Sequence, residues 1–554
     1  MSGSRLLLEL DLAEPPVDAP PPDPLGFVAA RRRPTLRAVV TALRDAADDP
    51  QVAGLVARVG GRMALARAQE LRDAVNAFAA SGKPAVAWAE TFGEGDSGTV
   101  AYLLATGFGE VWLQPSGDVG LTGVAVEATF LRGALDKLGL EPQFVQRYEY
   151  KNAVDQLSRH GFTDAHREAV TRLAASAAEQ VVAGVAEARG LTAPRVRELV
   201  DAAPLSAQQA LDAGLVDRVG YRDEVYADLR RRVGAETRLL FLARYRRDAA
   251  PARLLRRVRR RSKPLVALVT VSGTIQQGRS RRSPLPAGAA AGSDTVGAAL
   301  RSAAADDAVR AVVLRVDSPG GSYVASDVIW REVGRLRRAG KTVVASMGDV
   351  AASGGYFVAM GADAIVAEPG TITGSIGVFS GKIVTAGLLE RLGIGTDAVA
   401  EGRHARMFSP RVGFDDEQWR RLEEWLDRVY GDFLGKVAQG RRMSRERAHE
   451  LGRGRVWSGQ DAYERGLVDE LGGLERAASL ARGRAALPAA AELRRWPQPR
   501  ARDQLSPPRS SEDRRAAGAS LAGWWSGWGA LADVAARFGL PPEGPLTLPP
   551  LHLA

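Results

Sequence analysis

The chain has 554 residues, 45% apolar and 25% charged, a balance that excludes a polytopic membrane protein and a disordered chain and allows roughly two to four domains. It contains no cysteine, which excludes disulfides, thiolate nucleophiles and cysteine-held zinc or iron–sulfur centres; its five histidines (His160, His166, His404, His449 and His552) form no HxxxH or HxH pair, so a metal hydrolase or a His-based triad is poorly supplied. The net charge of +10 is carried by arginine, since seven of the 75 basic residues are lysine, and this compositional bias implies no nucleic-acid partner.

In chain order, residues 1–34 read as an N-terminal extension. Glu9, Asp11 and Glu14 surround a short Leu6–Leu8 run, which gives no signal peptide, and no 18 apolar residues run uninterrupted anywhere. A cytoplasmic or peripherally membrane-associated location is expected. Two α/β halves follow, at 35–245 and 265–496, related by an internal repeat. Ala47-Asp48-Asp49 before Val56–Val59 is echoed by Ala305-Asp306-Asp307 before Val313–Val316, and Gly82-Lys83 by Gly340-Lys341. An offset of 254 pairs Pro115 with Pro369, Gly120 with Gly374, Gly123 with Gly377 and Leu135–Leu140 with Leu389–Ile394. Gly214–Asp217 recurs as Gly466–Asp469.

In the second half, Ala311–Val316 and Thr342–Ser346 are short apolar runs bounded by turn residues and are expected as buried strands. Ser326–Arg338 between them has helical spacing, with Val328, Ile329, Val333 and Leu336 on one side. Strand–helix–strand alternation implies right-handed crossovers and a mainly parallel sheet in each half. The halves are joined by a basic linker over 246–264. Gln276–Ser293 reads as a mobile surface loop. Residues 497–554 form a Pro- and Arg-rich linker and a tail in which Leu521–Leu540 carries Trp524, Trp525 and Trp528, a composition suited to peripheral membrane contact or to docking on protein.

Three small-residue segments are candidates for chemistry. Gly348–Tyr356 follows a strand, and Ser353 within it is suited to exposing a hydroxyl at a strand-to-helix turn, with helix N–H groups beside it. The same residues also suit a tight packing turn. Ser318-Pro319-Gly320-Gly321 ends another strand, and its glycines permit an N–H aimed at a carbonyl, or simply a Pro-Gly turn. Thr373–Gly377 is the third, readable as another strand connection. No histidine lies near them in sequence, so a lysine amine is the natural base, provided burial lowers its pKa from about 10.4. Lys151, in Tyr148–Val154, is flanked by aromatic and small residues and stands out among the seven. A lone lysine is also an ordinary surface charge.

Leu314–Ser322, Ser346–Tyr356 and Thr373–Gly377, together with Tyr150–Val154, Val456–Ala462 and Gly466–Asp469, resemble the signal peptide peptidase family of serine–lysine peptidases, in its long duplicated form, over roughly residues 35–496. The resemblance implies two tandem Clp/crotonase-like α/β domains. It implies Ser353 as nucleophile, Lys151 as general base, Gly321 and Gly354 as oxyanion-hole donors and Ser375 as the residue orienting the lysine. It further implies no metal or organic cofactor, a homotetramer, and signal peptides or other short apolar segments as substrates. Under the 254 offset Ser353 falls opposite Thr99 and Lys151 opposite Ala405, so one site per chain is expected, built at the junction of the halves. Long family members carry an N-terminal membrane anchor, and none is read here. A crotonase-like acyl-CoA enzyme and a non-catalytic oligomeric scaffold are the alternatives on the same fold.

Overall fold

The computed structural model describes residues 5–17, 34–248, 264–281, 290–497, 546–547 and 552–553. The basic linker after residue 248 and the Trp-rich stretch Leu521–Leu540 lie outside the described residues. No helix among the described residues is long and apolar enough to cross a membrane.

Each half is built on its own mainly parallel sheet. The first has six strands, in spatial order Arg238–Phe241, Leu6–Leu12, Val52–Val59, Ala85–Ala89, Glu110–Leu113 and Arg218–Val219, all parallel. The extension expected over 1–34 thus contributes an inner strand, Leu6–Leu12, whose leucines are buried. The second sheet has eight strands around Leu265–Ser272, Val309–Ser318 and Thr342–Ala352. These three central strands carry apolar side chains on both faces because helices cover both sides, which explains near-continuous Val and Ala runs in place of alternation. Strands read from sequence as Ala311–Val316 and Thr342–Ser346 run longer, to Val309–Ser318 and Thr342–Ala352.

The crossover helix between them is Tyr323–Arg338, started by Ser322, whose side chain accepts from Ala325 N–H. Ile329, Val333 and Leu336 face the core as expected, but Val328 is 40% exposed, because it lies one position off the Ala325–Ile329–Val333 stripe. At the ends of the expected loop Gln276–Ser293, Thr274–Gln276 and Ala290–Gly292 pair in parallel.

The repeat extends to side chains. Tyr102 Oη donates to Leu215 O in the first half and Tyr356 Oη to Leu467 O in the second. Arg189 pairs with Asp217 as Arg441 pairs with Asp469, and each aspartate accepts a strand N–H, from Val111 and Ile365 respectively. Lys83 donates to carbonyls at the end of the helix Leu36–Asp48, as Lys341 does to one at the end of the helix Ser293–Ala305.

The halves are locked together by polar contacts from the helices Leu65–Ala79 and Asp164–Arg189. Arg315 donates to Glu70 at 2.8 Å, both nearly buried, and also to Ser346 Oγ and Met347 O. Gly370 N–H donates to Gln69, Ser176 to Ser458 Oγ, and Arg172 pairs with Asp461. Glu368 is 2% exposed beside this cluster, and burial, reinforced by the charges of Glu70 and Asp73, pushes its carboxyl well above the usual range despite the Arg315 guanidinium. A carboxyl that is harder to ionise folded than unfolded favours the fold at low pH, and that contribution is lost as pH rises from the ordinary carboxylate range through the folded pKa. Glu368→Gln, a permanent mimic of the neutral form, should therefore gain stability over wild type by an amount that grows with pH above about 4.3. Urea denaturation from pH 4 to 8 measures this; a constant difference would contradict a neutral Glu368.

Candidate active site

The candidate site forms where the two halves exchange strands. Glu141–Gln146 of the first half pairs antiparallel with Phe379–Val384 of the second, from Gln146 opposite Phe379 to Glu141 opposite Val384, and Arg147 N–H then donates to Val378 O. Lys151 follows the first strand by five residues and Ser375 precedes the second by four, so this one ribbon carries both to the same place.

Ser353 sits between the strand Thr342–Ala352 and the helix Gly354–Ala359, with φ 54° and ψ −113°. A positive φ in a non-glycine residue is uncommon, and here it turns the chain sharply from strand into helix. Ser353 N–H donates to Gly374 O at 2.8 Å. Glycines surround the turn for steric reasons. A Cβ on Gly354 would stand 2.8 Å from Ser326 Oγ, and one on Gly355 2.5 Å from Ser318 O. On Gly321, φ 149°, it would reach 2.1 Å from Ile275 O. Gly354 packs against the backbone of Gly320 and Gly321, so the second glycine segment lies beside the serine turn.

Lys151 is fully buried. Its Nζ lies 2.8 Å from Ser353 Oγ, 2.9 Å from Ser375 Oγ and 3.0 Å from Ser375 O. Burial alone drives its pKa well below the ordinary lysine value. The three partners are all oxygens, the Ser353 hydroxyl and the hydroxyl and carbonyl of Ser375, and no carboxylate is among them. Ser375 itself has φ 49°, and its N–H donates to Arg455 O. All five residues singled out from sequence therefore meet: the three hydrogen-bonded side chains of Lys151, Ser353 and Ser375, with Gly354 and Gly321 beside Ser353. Opposite Ser353 in the first half, Thr99 donates to Gly123 O, and Ala405, opposite Lys151, is exposed.

The segment Arg453–Arg455 contributes what sequence reading missed. Tyr150 N–H donates to Arg453 O and Gly454 N–H to Ile376 O, which wedges the segment between the lysine and Ser375 strands. At Gly454, φ 88°, a Cβ would fall 2.3 Å from Lys151 N, and at Gly377 it would lie 3.2 Å from Lys151 Cδ. The signal in sequence is only a glycine just ahead of Val456–Ala462; the contact spans some 300 residues. Arg455 lies over the rings of Tyr150 and Trp457 and pairs with Glu168, to which Tyr150 Oη also donates.

A family model described as peptidase family S49 matches residues 77–236 and 335–487, one stretch in each half. The chain belongs to peptidase family S49. Protease 4 of Haemophilus influenzae is 32% identical over 461 residues, covering 80% of this chain and 72% of that protein. The chloroplastic serine protease SPPA of Arabidopsis thaliana is 32% identical over 447 residues, and Protease 4 of Salmonella typhi 31% over 457. The match takes in 80% of this chain in both cases, with 64% of the Arabidopsis protein and 71% of the Salmonella one. The S49 stretches place the strand ribbon and both candidate chemical residues within matched regions.

The wedge makes a separable prediction. Gly454→Ala should destabilise the fold by about 1–3 kcal/mol through overpacking at a positive-φ position, measured by chemical denaturation; wild-type stability would show that the Lys151 backbone is not held by this contact.

Proposed function

We propose that this S49 chain is a serine endopeptidase in which Lys151, from the half spanning 35–245, serves as general base for Ser353, from the half spanning 265–496. The observation that carries the reading is the 2.8 Å contact between Lys151 Nζ and Ser353 Oγ at a fully buried amine. A base must be within hydrogen-bond reach of the proton it takes and must be neutral when it takes it; the contact supplies the reach, and burial, by lowering the amine's pKa, favours the neutral form.

The reaction balances with these groups alone. Neutral Lys151 takes the Ser353 hydroxyl proton as Oγ attacks the carbonyl carbon. The resulting oxyanion is stabilised by N–H groups of Gly354 and Gly321. Ser322 N–H donates to Ile275 O, so strand alternation turns the Gly321 N–H to the opposite edge, the side on which a substrate carbonyl is needed. The tetrahedral intermediate collapses, the C–N bond breaks, and the Lys151 ammonium returns its proton to the leaving amine. Water, deprotonated by Lys151, then hydrolyses the acyl-enzyme and frees Ser353. Ser375 orients the amine through its hydroxyl and carbonyl, leaving the lone pair directed at Ser353.

Substrates are extended apolar segments, signal peptides among them, because folded chains do not reach a serine that is itself fully buried. A homotetramer is proposed on the same reading. It is supported by apolar side chains standing free on the segment after the strand ribbon, among them Leu392, Val399 and Phe408.

Ser353→Ala and Lys151→Ala should each lower kcat/KM on a fluorogenic apolar peptide, the lysine variant by about 10²–10⁴. Because the folded Lys151 pKa is lowered, wild-type activity should rise with pH and level off well below the pH at which ordinary lysines titrate, about 10.4. Ser375→Ala should shift that rising limb. Activity that survives loss of either Ser353 or Lys151 would reject the dyad.

A further inference from the structure

The Lys151 amine rests on Ser375, and Ser375 is itself held from outside the site. Its φ of 49° is a conformation that a non-glycine residue keeps only when its surroundings impose it. The strand Val456–Ser458 pairs antiparallel with Ile372–Gly374, and the bond from Ser375 N–H to Arg455 O, 2.7 Å, carries that ladder one residue further. From there the Arg455 side chain crosses to the other half. Its guanidinium lies 4.9 Å from the centre of the Tyr150 ring and 4.6 Å from that of Trp457, and it pairs with Glu168 Oε1 at 2.8 Å. Tyr150 Oη donates to the second oxygen of the same carboxylate, Oε2, at 2.7 Å. Arg455 Nε has no acceptor among the described residues, so the rings and Glu168 are what hold the side chain. Tyr150 directly precedes Lys151, and Lys151 bonds Ser375, so these contacts close a ring: Ser375, Arg455, Glu168, Tyr150, Lys151 and back to Ser375.

We propose that Tyr150, Glu168 and Arg455 are positioning residues for the general base: together they tie the two halves across the junction and set where the Ser375 oxygens stand relative to the Lys151 amine. The inference rests on the Ser353–Lys151 reading and names three residues that act on that pair without being partners of its amine. The tie needs an arginine, because a planar guanidinium stacks on two rings and still pairs with a carboxylate, which an ammonium does not do. As a plain ion pair it would count for little, since the Glu168 side chain is 55% exposed. Its effect is one of position. With the tie cut, Ser375 and Lys151 are free to separate, water reaches the amine, and the burial that disfavours the ammonium is relieved, so Lys151 keeps its proton to higher pH. The other charges around the tie are Arg453, which lies over Tyr150 and pairs with Glu149, and Arg465, which lies over Trp457 and pairs with Asp461 and Glu464. Direct charge effects give the opposite sign for one change: removing the Glu168 carboxylate takes a negative charge away from Lys151, which alone favours the neutral amine.

The test compares the full-length chain with Glu168→Ala, Arg455→Ala, Arg455→Lys and, as a control that removes the other guanidinium on Trp457, Arg465→Ala. Two readouts are taken: the titration of Lys151, labelled with carbon-13 at Cε, and the pH profile of kcat on the fluorogenic apolar peptide. Glu168→Ala and Arg455→Ala should each move the Lys151 titration and the rising limb of kcat upward by about one unit. At a fixed pH on that limb kcat should fall about tenfold, with KM changed less than about twofold. The double variant should move no further than Arg455→Ala alone, because both changes cut the same tie. Arg455→Lys, which keeps the charge and loses the flat stacking, should recover only part of the shift. Arg465→Ala should titrate as wild type does. A downward shift in Glu168→Ala would show that it acts by charge and would overturn the tie, as would an unmoved Lys151 titration in Glu168→Ala or Arg455→Ala. The resonance is read without turnover, so a wild-type chain that cleaves no peptide would count against the peptidase reading while the Lys151 titration still decides the tie.

Discussion

The withdrawal of one lysine amine from water is the constraint on which the rest of the structure depends. An ammonium costs several kcal/mol to bury without a counter-charge, and a neutral amine far less. At Lys151 burial alone sets the direction, and among the described residues the amine meets hydroxyl and carbonyl oxygens and no carboxylate. Keeping it there requires a seal on every side. The strand ribbon delivers it, the Arg453–Arg455 wedge presses on its backbone, and Gly377 lies against its stem. The Arg315–Glu70 and Arg172–Asp461 pairs then hold the two halves shut around it.

Duplication explains how such a site arises from two similar halves. The contacts that maintain the fold are kept in both: a tyrosine hydroxyl on a loop carbonyl, an Arg–Asp pair that also caps a strand, and a lysine closing a helix end. The candidate chemistry is divided. The first half has Thr99 where the second has Ser353, and the second has an exposed Ala405 where the first has Lys151. Neither half alone holds both groups, so the docking of the halves is part of the site itself.

Local pattern made much of this legible. Small residues at strand ends mark turns that exclude a Cβ, and the structure gives that exclusion at Gly321, Gly354 and Gly355. β-branched runs mark the buried central strands, although Val309–Ser318 and Thr342–Ala352 extend beyond those runs, because Asp317 pairs with Ser272 and Val350–Ala352 pair with Ile372–Gly374. What sequence could not show are contacts between distant residues. Leu6–Leu12 is an inner strand despite Glu9 and Asp11, since its partners lie at 52–59 and 238–241. Arg315 inside an apolar strand gives no hint of Glu70, and Gly454 gives none of Lys151. Val328 shows the limit of helical spacing, where one residue of phase separates core from solvent.

The most direct test of the account is the protonation state of Lys151 itself. With seven lysines in the chain, carbon-13 labelling at Cε and NMR titration, with Lys151→Met to assign the signal, resolve one amine from six. The account predicts a Lys151 resonance already at the neutral-amine position at pH 7, moving to the charged position only well into acid if the fold persists. A Lys151 signal that remains charged at pH 7 and titrates near 10.4 with the ordinary lysines would contradict it.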